Sequence, residues 1–242
     1  MNGLFGRLAL LAAIAAALMV GAAGPAYRYG YVDLPQAFGL MTYGVYAAGA
    51  AGALGVLWIL FALFGRSASG VFAFLLALII AAGAAFTPIN MRMTAQSVPF
   101  IHDITTDTAN PPTFVAIAPL RAEAPNGVDY KTEENAEATK TGYPDIQPLV
   151  SEVPPADMFK RAEATARAMG WEIVAAEEAE GRIEATDTTA WWGFKDDVVI
   201  RIVPEGEGSR LDIRSMSRVG KSDLGKNADR IRKFIAAVKE AK

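Results

Sequence analysis

The sequence predicts an α+β protein in two parts: three transmembrane helices, the last two a helical hairpin, then a two-layer sandwich of a four-stranded antiparallel sheet and two helices. Three observations predict it. Charge is segregated, since up to Ala95 the only charged side chains are Arg7, Arg28, Asp33, Arg66 and Arg92, whereas residues 96–242 hold 19 Lys and Arg and 25 Asp and Glu. The uncharged stretches before that boundary are long enough for helices that cross a bilayer core, which takes about 20 residues. Beyond it, continuous apolar runs give way to period-two alternation and to helical spacing, the marks of a water-soluble α+β domain.

The boundary divides the chain into a transmembrane region, residues 1–95, and a soluble region, residues 96–242, with spans expected at about 4–23, 42–64 and 69–87. Leu34 to Gly65 and Ser67 to Met91 contain no charged residue and are rich in Leu, Ile, Phe, Ala and Gly. The connection from Gly65 to Gly70 is so short that these two helices are expected to be antiparallel neighbours. Gly44, Ala48 and Gly52 recur at intervals of four, a spacing that lets helices approach closely in lipid. The first apolar run, Leu8 to Ala23, ends in small residues that would also suit a cleaved signal peptide; Pro25 and the spans that follow favour a retained helix.

Arg7 and Arg66 fall on one side of the membrane and Arg28 and Arg92 on the other, and the free amino terminus tips the first side toward the cytoplasm. The expected location is therefore a bacterial inner membrane, multi-pass, with the carboxy-terminal domain in the periplasm. The chain has no cysteine, which excludes disulfides, thiolate nucleophiles and cysteine metal sites. The soluble region carries a net charge of −6, from 19 positive and 25 negative side chains, and this argues against a nucleic-acid partner.

Residues 96–155 read as an irregular arm punctuated by Pro99, Pro111, Pro112, Pro119, Pro125, Pro144, Pro148, Pro154 and Pro155. Within it, only Thr113 to Leu120 looks strand-like, and Asn126 to Lys140 reads as a solvated, acidic loop. Residues 156–242 form the α+β core. Phe159, Ala162, Ala166 and Met169 lie at helical spacing before Gly170. Four β-type runs follow, Trp171 to Ala176, Gly181 to Thr188, Val198 to Val203 and Arg210 to Ser217, and should pair as a meander. The alternation Arg210-Leu211-Asp212-Ile213-Arg214 makes one sheet face apolar and the other charged. A last helix is expected from Ser222 or Asp223 to Lys239, burying Leu224, Ile231, Phe234, Ile235 and Val238. The helices would cover the apolar face, leaving the charged one for the arm, a ligand or water.

Several stretches together carry a family resemblance. They are Pro99 to Asp107, Gly142-Tyr143-Pro144-Asp145, Met169 to Val174, Gly181 to Thr186, Gly193 to Val198 and Ser217 to Gly225. In this order they resemble the DUF1499 family across nearly the whole soluble region. The resemblance implies a shared domain and brings no activity with it.

The chemically suggestive residues fall into two groups. The first is a polar cluster, His102, Asp103, Thr105, Thr106, Asp107, Asp196 and Asp197. His102, the single histidine, lies beside Asp103 and would serve as base for Ser217 or Ser222 in a hydrolase, but no G-x-S-x-G elbow is present. Asp196 and Asp197 are adjacent carboxylates suited to a hard cation, yet neighbours on a strand face opposite ways. Ordinary ion pairs with Lys195 or Arg201 are the expectation, and no metal site is assigned. The second group is ligand-binding: Arg218, Lys221 and Ser222 ahead of a helix terminus, as an anion site or a structural clamp through Asp103 or Asp107, and Trp191, Trp192 and Phe194, as core, pocket wall or membrane-interface residues.

Two functions follow. The first is a membrane-anchored, periplasmic binding or accessory module whose partners are the lipid bilayer and an apolar or amphiphilic small molecule or a neighbouring envelope protein. The alternative is a hydrolase or metal-dependent enzyme using His102 and the nearby aspartates. No catalytic residue and no cofactor is assigned. Transport is disfavoured because no buried ionisable residue is expected between Leu34 and Gly65 or between Ser67 and Met91, where an ion pathway would need one.

Overall fold

The computed structural model describes residues 2–65 and 70–241, so the expected turn after Gly65 and Arg66 itself lie outside the described residues. The chain forms two compact units, residues 1–93 with Ala190–Gly193, and residues 94–189 with 194–242.

The first unit contains α1 (Asn2–Arg28), α2 (Leu34–Gly65) and α3 (Val71–Ser97). All three are long and apolar enough to cross a membrane. Their shared interior is mostly small, with Ala9, Ala13, Ala16, Ala48, Ala51, Ala77, Ala81 and Ala84 packed around Trp58 and Phe74. The two rings stack at 4.3 Å. Gly44 serves the close approach anticipated for it, although its neighbour is α1: a β-carbon there would stand 2.6 Å from Val20 Cγ2 and 3.1 Å from the Ala16 carbonyl. Large side chains such as Phe72, Ile79 and Phe86 point outward, as a lipid-facing surface requires.

The second unit is built on a six-stranded antiparallel sheet, two strands more than the sequence predicts. The strands are β1 (Asp103–Thr105), β2 (Leu149–Ser151), β3 (Glu172–Glu177), β4 (Arg182–Thr188), β5 (Lys195–Glu205) and β6 (Gly208–Ser217). The last four form the expected meander, β3-β4-β5-β6. The two additions come from the arm and share the free edge of β6: β1 pairs with residues 214–216, with Asp103 opposite Met216, and β2 with residues 209–211, with Leu149 opposite Leu211.

Three more features depart from the sequence reading. Thr113 to Leu120 is not a strand; it is irregular chain leading into a 3-10 turn at Ala118–Arg121. Thr132–Gly142, expected as a solvated loop, is helix α4. The final helix, α6 (Lys226–Glu240), starts after the expected position because Gly225 turns left-handed at φ 78° ahead of it. Asp223 still caps it, accepting the Gly225 and Asn227 amides at 2.8 Å each.

Helices α5 (Pro155–Ala168) and α6 cover the apolar sheet face. Val198, Ile200, Leu211 and Ile213 meet Phe159, Ala162, Ile231 and Phe234, and Trp171 stacks on Phe234 at 5.2 Å. Burying each such aliphatic or aromatic side chain contributes about 1.5–3 kcal/mol. The opposite, charged face belongs to the arm.

Candidate functional site

The charged face follows from strand register. Asp197 stands opposite Met216 and Thr186, Val199 opposite Arg214 and Glu184, and Arg201 opposite Asp212 and Arg182. Side chains in one cross-strand row share a face. This face therefore gathers Asp103, Arg182, Glu184, Thr186, Asp197, Arg201, Asp212 and Arg214, and the arm lies over it.

Three ionic clusters hold the arm down. In the first, Arg214 makes a paired contact with Asp103, Nε to Oδ1 and Nη2 to Oδ2, both at 2.9 Å. Its remaining donors reach the Pro112 and Val128 carbonyls, and its guanidinium lies over the Phe114 and Tyr130 rings at 5.0 and 5.3 Å. In the second, Arg121 from the 3-10 turn is fully buried and donates to Asp197 at 2.7 Å and to the carbonyls of Met216, Ser217, Asn126 and Gly127. Arg218 and Thr186 donate to the same carboxylate. Burial opposes the charge on Asp197, but the hydrogen bonds from Arg218, Thr186 and Arg121 together outweigh it and hold the carboxyl below its ordinary range. In the third, the buried Glu184 carboxylate accepts the amides of Val115, Ala116 and Ile117 at 3.0, 2.9 and 2.8 Å and pairs with Arg182.

At the edge of this face, Asp107 and Asp212 are bridged by Arg201 and Arg210. Thr106 donates to Asp212 and accepts the Ile213 amide, while Thr105 and Asp107 close a turn on each other. Asp196 points the other way, toward the helices, where Arg230 of α6 spans it and Asp187 at 2.7 and 2.8 Å. The partners predicted for Asp196 and Asp197, Lys195 and Arg201, are thus replaced by Arg230 for one and by Arg121 and Arg218 for the other. Lys195 and Arg201 face away from Asp196 along the strand, and Arg201 is taken by Asp107 and Asp212.

The structure does not assemble the remaining candidates into one constellation. The His102 ring meets the Lys221 carbonyl through Nδ1 at 3.4 Å, with the ring nitrogen as donor. Neither serine shares a hydrogen bond with that ring: the Ser217 hydroxyl accepts from Asn227 at 3.0 Å, and the Ser222 hydroxyl accepts the Leu224 amide at 3.3 Å. Arg218 clamps Asp197 in place of the expected Asp103 or Asp107. The α6 terminus is occupied by Asp223, whose carboxyl is raised by burial. Among the described residues no group of three or more His, Asp or Glu is arranged to hold a metal.

The aromatic trio divides between the units. Phe194 closes the β4–β5 connection, its amide donating to the Thr189 hydroxyl and its carbonyl accepting the Thr189 amide, both at 2.9 Å. Trp191 and Trp192 belong to the first unit, where Trp192 lies 5.2 Å from Phe38 and 6.3 Å from Tyr27. Arg121, Arg214, Glu184 and Arg230 were not singled out from the sequence. For Arg121 the local signal that could have found it is an arginine set in a proline-punctuated stretch otherwise rich in Ala, Leu and Ile.

No curated protein matches the chain. Residues 103–238, from β1 into α6, match the family described as "Protein of unknown function (DUF1499)". That match covers more than half of the sequence and most of the second unit, and the chain belongs to the DUF1499 family.

Proposed function

We propose that this chain is a membrane-anchored binding or accessory module of the bacterial envelope, with its second unit in the periplasm and a neighbouring envelope protein as its partner. The observation that carries the reading is covalent. Only five residues separate the end of α3 at Ser97 from the start of β1 at Asp103, and such a link reaches at most about 20 Å. A DUF1499 unit tied so closely to three apolar helices works within one domain diameter of the bilayer.

Two further observations support the reading. The carboxylates that a hydrolase or metal enzyme would draw on are engaged by arginines, Asp103, Asp107 and Asp197 at the junction of arm and sheet and Asp196 by Arg230 of α6. Two concavities of the second unit are open to solvent: one of about 640 Å³ has Glu152, Glu205 and Glu207 in its wall, and one of about 280 Å³ sets Arg161 and Lys239 beside Leu149, Val153, Met158 and Val238. Open hollows of mixed charged and apolar lining suit a protein surface better than a small apolar molecule, which an enclosed pocket would hold.

The absence of cysteine makes the test clean. Single substitutions Lys160→Cys, on the outer side of α5, and Ser67→Cys, between the second and third spans, give one reactive thiol each. A membrane-impermeant maleimide applied to spheroplasts should label the first without lysis and the second only after it. The opposite pattern would put the DUF1499 unit in the cytoplasm and end the periplasmic reading. Labelling of both in a protein released by carbonate would end the membrane-anchor reading.

A further inference from the structure

We propose that Ala190–Gly193 is an interfacial membrane anchor: the Trp191 indole fills a receptor built into α1, and the Trp191 and Trp192 pair takes the headgroup level of the bilayer. The proposal rests on reading α1, α2 and α3 as membrane spans.

The receptor begins with Pro25. In an α-helix the amide of residue 25 would donate to the carbonyl of residue 21, but proline has no N–H, so the Gly21 oxygen loses its helical partner. An unpaired carbonyl is costly at the edge of hydrocarbon, where water is scarce. The Trp191 Nε1–H donates to that oxygen at 3.2 Å. Gly24 makes room for the ring, since a β-carbon at that position would stand 2.9 Å from it. Arg28, one turn on, donates to the Ala190 carbonyl. A missing donor, a missing side chain and an arginine on one helix thus converge on a single tetrapeptide.

The membrane partner follows from what surrounds it. Trp192 packs against Trp191 and Phe38, both at 5.2 Å, with Tyr27 set edgewise. Tyr29 and Tyr31, 70% and 82% exposed, continue this aromatic layer at the carboxy-terminal end of the first span. Trp and Tyr concentrate at headgroup depth, where the ring body is apolar and the N–H or O–H stays wet, and the Arg28 cation suits lipid phosphate.

Tryptophan quenching tests the proposal on the full chain in phosphatidylcholine and phosphatidylglycerol vesicles, with a quencher placed either at the headgroup or deep in the acyl chains. Trp58 on α2 is the internal control for insertion and Trp171, buried in the second unit, the unquenched background. The headgroup quencher should dim the wild type and lose most of that effect in the Trp191→Phe, Trp192→Phe variant. The deep quencher should act through Trp58 and lose its effect in Trp58→Phe. Deep quenching of Trp58 with no change in headgroup quenching in the double variant overturns the anchor and leaves the spans standing. No deep quenching of Trp58 overturns the span reading, and the anchor with it. The receptor has its own cycle, because Pro25→Ala returns a helical donor to Gly21. Trp191→Phe should speed maleimide labelling of Ala190→Cys when Pro25 is present and have little effect after Pro25→Ala; equal effects in both backgrounds refute the receptor.

Discussion

Replacing Asp197 by asparagine removes one charge and almost no volume from the centre of the arm–sheet junction. The carboxylate is fully buried and accepts from Arg121 at 2.7 Å, Arg218 at 2.8 and 2.9 Å, and Thr186 at 2.7 Å. Breaking a buried ion pair by neutralising one partner costs about 3–5 kcal/mol, because the other charge stays buried without compensation. Arg218 is partly exposed and can turn toward water, whereas Arg121 is enclosed by four carbonyls, so the lower end, about 3 kcal/mol, is the expected loss. For a unit of this size that corresponds to roughly 6–12 °C in midpoint. The assay is urea unfolding of the full chain in nanodiscs, followed through Trp171, which reports on the packing of Phe234 while the spans stay in lipid. The pH dependence gives a second reading. The Asp197 carboxyl is held below its ordinary range in the folded state, so its stabilisation is complete above the unfolded-state value and is lost as pH falls through the folded one. Acidification should therefore narrow the gap between wild type and Asp197→Asn. A deficit below about 1 kcal/mol, the worth of an exposed pair, or a gap that does not change with pH would refute the reasoning.

Three other substitutions probe separate parts of the second unit. Glu184→Gln turns an amide nitrogen either toward the Ile117 amide or toward those of Val115 and Ala116, and should cost about 1–3 kcal/mol; hydrogen exchange should quicken over residues 115–117 and not along β5 and β6. Tyr143→Phe removes a buried hydroxyl that has no hydrogen-bond partner among the described residues, so chemical denaturation should find the variant unchanged or more stable by up to about 1 kcal/mol. Gly208→Ala drives a β-carbon into the Ser151 carbonyl and to 2.7 Å from Glu152 Cα, and should cost about 1–3 kcal/mol with faster exchange along β2.

What was legible in the sequence was whatever repeats locally. The apolar runs of α1, α2 and α3 and the alternation along β3 to β6 extend over enough residues to show a period. β1 and β2 have three residues each, and they are strands only because β6 offers them a free edge, about 110 residues away in sequence for β1 and about 60 for β2. No local pattern announces such pairing. Helix α4 differs, because its signals are local: Glu133 and Glu134 in the first turn and Lys140 in the last agree with the helix dipole, and the buried Asn135 and Thr139 sit one turn apart. Its polarity suggests solvation, but a helix can bury a narrow polar stripe when a partner meets it, as Asp103 meets Asn135 at 3.5 Å. Among the candidate residues, polarity alone was visible; the partners lie far along the chain, with Asp103 and Arg214 separated by 111 residues.

The buried ions have a consequence beyond their modest net contribution to stability. Sliding β5 by one residue would exchange Asp197 for Val198, carrying the carboxylate into the layer of Ile231 and Phe234 and leaving Arg121 opposite an aliphatic side chain. The apolar face alone would resist this slip. The ionic face resists it a second time, because each arginine that fastens the arm finds its carboxylate in one register only. A proline-punctuated arm with few apolar residues cannot select its own position by hydrophobic burial. Asp103, Glu184 and Asp197 select it instead, by holding Arg214, the amides of residues 115–117 and Arg121 at three separate points on the sheet. Asp103 and Asp197, which stand out in the sequence as candidates for chemistry, are thus accounted for by the path of the chain.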